Sequence, residues 1–239
     1  DMELAKKIFP MKAELPEYAP PVDKAALTRE IKAAVEEKNM APLYTLLVKD
    51  YGFESLPASA MEEMESKNAE EVKACDDEKE SALTNAGDME VLDAVTRKAR
   101  HYARIGDLEN GMKGFDAIME LPKVSTSKKI EATMAKLRMA FFHGVDDGIA
   151  ETLEEAKKLV ENGGDWDKRN RLKCYEALYL VKVRDMSKAA ALLLSCTQTF
   201  TAVELCSYED FILYCVVTNA LHLERVNFKK KILESPDVL

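Results

Sequence analysis

Apolar positions recur at helical spacing through most of the chain. Ala26, Leu27, Ile31 and Val35 fall on one side of a helical repeat, and Leu43, Leu46 and Leu47 begin a second stripe. Asp23 stands where a capping side chain would precede the first, so a helix is predicted from there through Lys38. Pro42 suits the first turn of the second helix, where a missing N–H leaves nothing unsatisfied. A long acidic helix is predicted from about Ala58 to Ser81, and Ser81 to Asp88 reads as a linker. No alternation of period two and no Asn-Gly hairpin signal occurs, so no sheet is assigned. Prolines divide the chain: six of eight lie at or before Pro57, and only Pro122 falls between residues 58 and 235. Proline breaks helix interiors, so the later part can hold long helices. Residues 1–22, with Pro20-Pro21, read as an extended N-terminal arm.

From Asp88 a repeat emerges. A helix over Asp88–Arg104 meets Gly106-Asp107, and its partner runs on to Leu121. Tyr102, Gly106, Gly111 and Phe115 fall where a tetratricopeptide repeat places an aromatic, a turn glycine, a small residue and an aromatic. The next tight turn is Gly144, after a helix over Ser125–His143; the next is Arg184-Asp185, after a helix over Trp166–Val183. The steps between turns are 38 and 40 residues. In the third unit Ala177, Leu180, Ala189 and Leu193 repeat the pattern, with Arg184 where glycine is usual. Each hairpin has an apolar face it cannot bury alone, and stacking completes the core. Small residues such as Gly111 and Ala189 let the helices approach closely. The expected fold is all-α, a right-handed helical-hairpin solenoid of tetratricopeptide-like repeats over residues 88–239, preceded by N-terminal helices over residues 23–87. A last helix, Tyr208–Leu223, is apolar nearly all round and is expected to be buried.

Charge narrows the function classes. The formal net charge of −9 argues against a general nucleic-acid binder. Between Glu62 and Glu80 nine acids face three lysines, a net of −6, which suits either a solvated helix face or a basic partner. The longest apolar passage, Phe211 to Leu223, is interrupted by Thr218, Asn219 and His222 and falls short of the roughly 20 residues a membrane span needs. Asp1 to Phe9 alternates charged with apolar residues, unlike a secretory signal, and Asp1 in place of Met is expected to mark a trimmed start. Cys75, Cys174, Cys196, Cys206 and Cys215 are odd in number and widely spaced, the usage of a reducing compartment, so cytoplasm and nucleus are expected.

Catalytic chemistry finds no foothold. His101, His143 and His222 sit on three different predicted helices, none with a His or Cys one turn away, so no metal site is expected. No nucleophile–base pair and no cofactor motif stands out, and no enzyme activity is expected. Gly106 to Lys113 imitates a phosphate loop, but Met112 separates Gly111 from Lys113 and the segment follows a helix, so it reads as a turn. Lys168, Arg169, Arg171 and Lys173 open the third repeat as a basic cluster, read first as a solvated or salt-bridged face. Lys229 to Lys231 reads the same way, and Met134 and Met139, spaced among Leu137 and Phe141, as core.

One segment is more specific: Gly163, Gly164, Asp165, Trp166, Asp167, Lys168, Arg169, Asn170, Arg171, Leu172 and Lys173. Locally, Gly163 or Gly164 would end the preceding helix in a left-handed conformation, and Asp165 or Asp167 would cap the next. Trp166, the one tryptophan, would pack back on the neighbouring hairpin, and its removal would then cost about 3–5 kcal/mol. The segment resembles the signature of the non-ATPase regulatory subunit 6 family of the proteasome's regulatory lid. The likeness continues through Tyr175, Leu178-Tyr179, Arg184-Asp185, Ala189-Ala190 and Thr199-Phe200-Thr201, and includes Asn39 to Pro42 and Ala220 to Arg225. It implies a non-catalytic structural subunit whose helical arm meets other lid subunits and the ATPase base in ubiquitin-dependent degradation, with no nucleic acid, no membrane and no homo-oligomer. It also implies a C-terminal winged-helix PCI module, which this chain does not reach; Ser125–Asp147 and the acidic region diverge from the family pattern. A scaffold of a related PCI complex of signalosome type, or a free repeat adaptor for peptide tails, remains open.

Overall fold

The computed structural model describes residues 2–11, 22–236 and 238. Among them every regular element is helical. In chain order the helices are α1 (Met2–Ile8), α2 (Lys24–Glu37), α3 (Ala41–Tyr51), α4 (Ala58–Asn85), α5 (Asp88–Ile105), α6 (Leu108–Glu120), α7 (Thr126–His143), α8 (Ile149–Glu161), α9 (Trp166–Lys182), α10 (Met186–Cys196), α11 (Tyr208–His222) and α12 (Arg225–Phe228). Packing runs mainly between sequence neighbours, as in an all-α helical-repeat protein. The chain forms two compact units, Asp1–Ser125 with Met139–Val145, and Thr126–Arg138 with Asp146–Leu239. Neither follows the division expected at residues 87 and 88.

In the first unit, Asp23 caps α2 by accepting from the Ala26 N–H, and Ile31 and Val35 on that helix are fully buried. Pro42 sits in the first turn of α3, whose Leu43, Tyr44 and Leu47 close the same core. Met2–Ile8 is helical where an extended arm is expected, because Leu4 and Ile8, one turn apart, both reach that core. The rest of the expected arm, residues 12–21, lies outside the described residues. The acidic helix runs unbroken to Asn85, so the expected linker shrinks to Ala86 and Gly87. Ala82 is buried inside the supposed linker, and no helix breaker precedes Gly87. Part of the acidic charge is answered within the unit: Arg97 of α5 binds Glu71 and Glu78, and Lys98 binds both Asp76 oxygens at 2.7 Å.

Four helix ends share one turn. Asn39, Gly106, Gly144 and Arg184 have φ of 51, 77, 68 and 62°. The residue after each donates its N–H to a carbonyl five residues back: Met40 to Val35, Asp107 to Tyr102, Val145 to Ala140, Asp185 to Leu180. This left-handed closure satisfies carbonyls that the helix end leaves open. After two of these turns an aspartate caps the next helix: Asp107 accepts from the Asn110 N–H and Asp185 from the Lys188 N–H.

In the second unit, α8, α9, α10 and α11 pack in succession. Ala189, Ala190 and Leu193 of α10 are fully buried, as the small-residue pattern predicts. The expectation for α11 needs correction. Phe211 and Cys215 are buried, but Leu213, Val217 and Leu221, spaced one turn apart, are 57%, 50% and 70% exposed. The helix is apolar on both sides while its packed side faces α10.

Candidate interaction surface

The segment from Gly163 to Lys173 forms the α8–α9 turn and the first two turns of α9. Neither glycine is left-handed, so the expected conformational role is corrected. The helix ends at Asn162 in right-handed geometry, and Gly164 then passes so close to α8 that a Cβ would stand 2.8 Å from the Val160 carbonyl oxygen. Its N–H donates to that oxygen at 2.8 Å. Gly164 is required for close approach. Gly163 would place a Cβ 3.3 Å from Thr126 Cγ2.

Asp165 is the cap. Its Oδ1 accepts from the Lys168 N–H at 2.9 Å, and its Oδ2 pairs with Lys168 Nζ at 2.8 Å. These bonds hold the Asp165 carboxyl below the usual carboxylate range. The cap fixes the register of α9. Asn170 and Leu172 then turn inward and are buried, and the Asn170 side-chain NH₂ is buried without a hydrogen-bond partner among the described residues. Arg171 reaches the loop before α11, donating to Glu204 Oε1 from Nε at 3.1 Å and from Nη2 at 2.6 Å, and lies 3.8 Å from Asp167.

Glu204 is the centre of a latch. The Tyr175 hydroxyl donates to it at 2.9 Å, and Arg138 Nη1 on α7 donates to the Tyr175 oxygen at 2.7 Å. Burial works to raise the Glu204 pKa, but the hydrogen bond and charge of Arg171, with further bonds from its own backbone and Tyr175, outweigh it and leave the carboxyl below its ordinary value. Burial pushes the Tyr175 phenol up, so it stays protonated and donates. Sequence reading missed Glu204: it lies 33 residues beyond Arg171 in an irregular loop, where no periodicity marks it.

Trp166 is 63% exposed, contrary to the expected packing against the neighbouring hairpin. It occupies the first helical position of α9, a turn before that helix's buried face begins. Arg169 is exposed too. The segment therefore has two halves. Asn170, Arg171 and Leu172 are built into the second unit, while Trp166 and Arg169 face outward. A large exposed aromatic beside an arginine is the composition of a protein-binding anchor.

Other sequence candidates are dispersed. His101 is buried, its Nδ1 is 2.9 Å from Arg104 Nη2, and burial lowers its pKa. Burial takes His143 down to about 4 against the opposing charge of Asp107. Among the described residues no group of three metal-ligating side chains forms, and no helix is long and apolar enough to cross a membrane. Met134 and Met139 are buried, as predicted for core.

Comparison with known proteins reaches the same segment. Residues 58–231 match the family described as 26S proteasome subunit RPN7. The chain is 36% identical over 220 residues to an Arabidopsis thaliana protein named 26S proteasome non-ATPase regulatory subunit 6 homolog, covering 92% of this chain and 56% of that protein. It is 34% identical over 239 residues to the Dictyostelium discoideum 26S proteasome non-ATPase regulatory subunit 6, covering 100% and 60% respectively. To the Schizosaccharomyces pombe 26S proteasome regulatory subunit rpn7 it is 36% identical over 210 residues, covering 87% and 53%. The chain thus spans little more than half the length of these relatives.

Proposed function

Because the chain belongs to the family of 26S proteasome subunit RPN7, we propose that it is a non-catalytic structural arm of the proteasome's regulatory lid. In this reading its helical repeats contact other lid subunits and the ATPase base during ubiquitin-dependent degradation, in cytoplasm and nucleus. The observation that carries it is the divided signature segment. Asn170, Arg171 and Leu172 fix α9 in place, and the same helix start presents Trp166 and Arg169 to the outside. A helix start anchored in its unit by Asn170, Arg171 and Leu172 and carrying an exposed aromatic and an arginine suits a subunit contact. The expected lack of enzymatic activity belongs to this reading; Arg171, Tyr175 and Glu204 are engaged with one another in holding the fold.

The test is affinity purification of the tagged full-length parent protein from its own cells, with mass spectrometry of what accompanies it. Lid subunits and the ATPase ring are expected with the parent. A Trp166→Ala, Arg169→Glu variant is expected to recover less of them while keeping its helical circular dichroism. Recovery of signalosome subunits, or of no stable complex, would sink the proposal. Full recovery by the variant would move the contact away from this surface.

A further inference from the structure

The second unit holds four of the chain's five cysteines, Cys174, Cys196, Cys206 and Cys215, and all four are buried. They come from α9, the last residue of α10, the loop before α11, and α11 itself. Folding thus gathers thiols that are widely spaced in sequence. Cys174 and Cys196 are joined sulfur to sulfur by a hydrogen bond, whereas Cys206 acts on Cys174, and Cys196 on Cys215, through charge.

Packing holds that pair in place. Helix α9 lies against α10, and Cys174 and Cys196 are 1% and 0% exposed. The Ser195 hydroxyl oxygen stands 3.6 Å from the Cys196 sulfur. The bond from Cys174 draws the Cys196 thiol below its ordinary range; burial opposes it, and Ser195 and the charge of Lys173 add to it. The same bond, with burial, pushes the Cys174 thiol up, so Cys174 keeps its proton and donates. The pair therefore offers one sulfur suited to attack and one poised beside it. Cys196 closes α10 and is followed by the short turn Thr197–Thr199. A helix end opens locally more readily than a helix middle, which gives a small oxidant a way in.

We propose that Cys174 and Cys196 form an oxidation-sensitive dithiol, which hydrogen peroxide converts to a disulfide joining α9 to α10. The Cys196 thiolate attacks one peroxide oxygen. An S–O bond forms, the O–O bond breaks, and hydroxide leaves and is protonated to water. The Cys174 sulfur then attacks the Cys196 sulfenic acid. The S–S bond forms, the S–O bond breaks, and the departing hydroxide takes the Cys174 proton as a second water. Two thiols are oxidised and one peroxide is reduced. The inference goes beyond the lid reading and does not depend on it.

The test is disulfide mapping of the folded chain after exposure to hydrogen peroxide. Remaining thiols are blocked with N-ethylmaleimide in denaturant, and unreduced peptides from trypsin and a glutamate-specific protease are read by mass spectrometry. Cleavage after Glu204 and Glu209 separates Cys196, Cys206 and Cys215. The expected result is the loss of two of the five free thiols to one Cys174–Cys196 link, both recovered with dithiothreitol. The same oxidation in urea is the control, because an unfolded chain favours the shorter loops Cys196–Cys206 and Cys206–Cys215. Cys206→Ser, confirmed folded by circular dichroism, is expected to keep the link, and Cys196→Ser to lose it and leave Cys174 reduced. The map of the parent chain decides even where a variant fails to fold. A native map that repeats the urea pattern, a first link through Cys206 or Cys215, a sulfinic acid on Cys196 without a link, or five thiols left free would overturn the proposal.

Discussion

The turn between α5 and α6 and the turn between α9 and α10 have the same backbone and different residues. Both close with a left-handed residue, both return an N–H five residues back, and both are followed by an aspartate cap. One uses Gly106 and the other Arg184. The difference follows from what stands outside the turn. A Cβ on Gly106 would meet Leu43 Cβ at 2.8 Å, whereas Arg184 is exposed. Glycine is thus demanded by packing in the first hairpin. In the second the left-handed cost of a side chain, about 1–2 kcal/mol, is tolerated.

The strongest way to break the equivalence is Gly106→Ala, which adds that backbone cost to a clash with the α3 side chain. A loss of about 2–4 kcal/mol in urea unfolding is expected. Next comes the latch beside the second hairpin. Glu204→Ala strips Arg171 and Tyr175 of their shared acceptor and is expected to cost about 1–3 kcal/mol. The pH dependence gives its sign. Because the folded pKa lies below the unfolded value, the unfolded chain binds more protons on acidification. The latch therefore stabilises fully above the ordinary carboxylate pKa, and the gap between parent and Glu204→Ala narrows as pH falls below about 4. Replacing either cap, Asp107→Ala or Asp185→Ala, is expected to cost about 1 kcal/mol, and similar values at both sites would show that the two turns are energetically alike. The smallest effect sharpens the comparison in the other direction: Arg184→Gly is expected to raise stability by about 0.5–1 kcal/mol, read as a higher melting temperature.

These turns were legible in the sequence because their signals are local. Asp23 caps its helix as expected, Asp165 is the one of the two candidate caps before α9 that is used, and Arg184 takes the place of glycine in backbone as well as in pattern. The supposed linker before Asp88 could also have been read as helix, since Gly87 is its one breaker. What local signals do not carry is the extent of a neighbour. Trp166 lies one turn before Asn170 on α9, on the side that becomes buried, yet it is exposed: periodicity gives the side of a helix but not how far along it the next element reaches. The same gap explains α11, where apolar residues on every side favour burial without naming a partner for Leu213, Val217 and Leu221. Glu204 escaped for a related reason, its partners being fixed only by the tertiary arrangement of α7, α9 and the loop.

Because helices pack chiefly on the elements beside them in sequence, such as α4 on α5, α5 on α6, α9 on α10 and α10 on α11, most native contacts close short loops. Locally closed contacts of this kind let a hairpin form before the chain that follows it has been synthesised. The chain can therefore acquire structure from its N-terminal side onward as it leaves the ribosome.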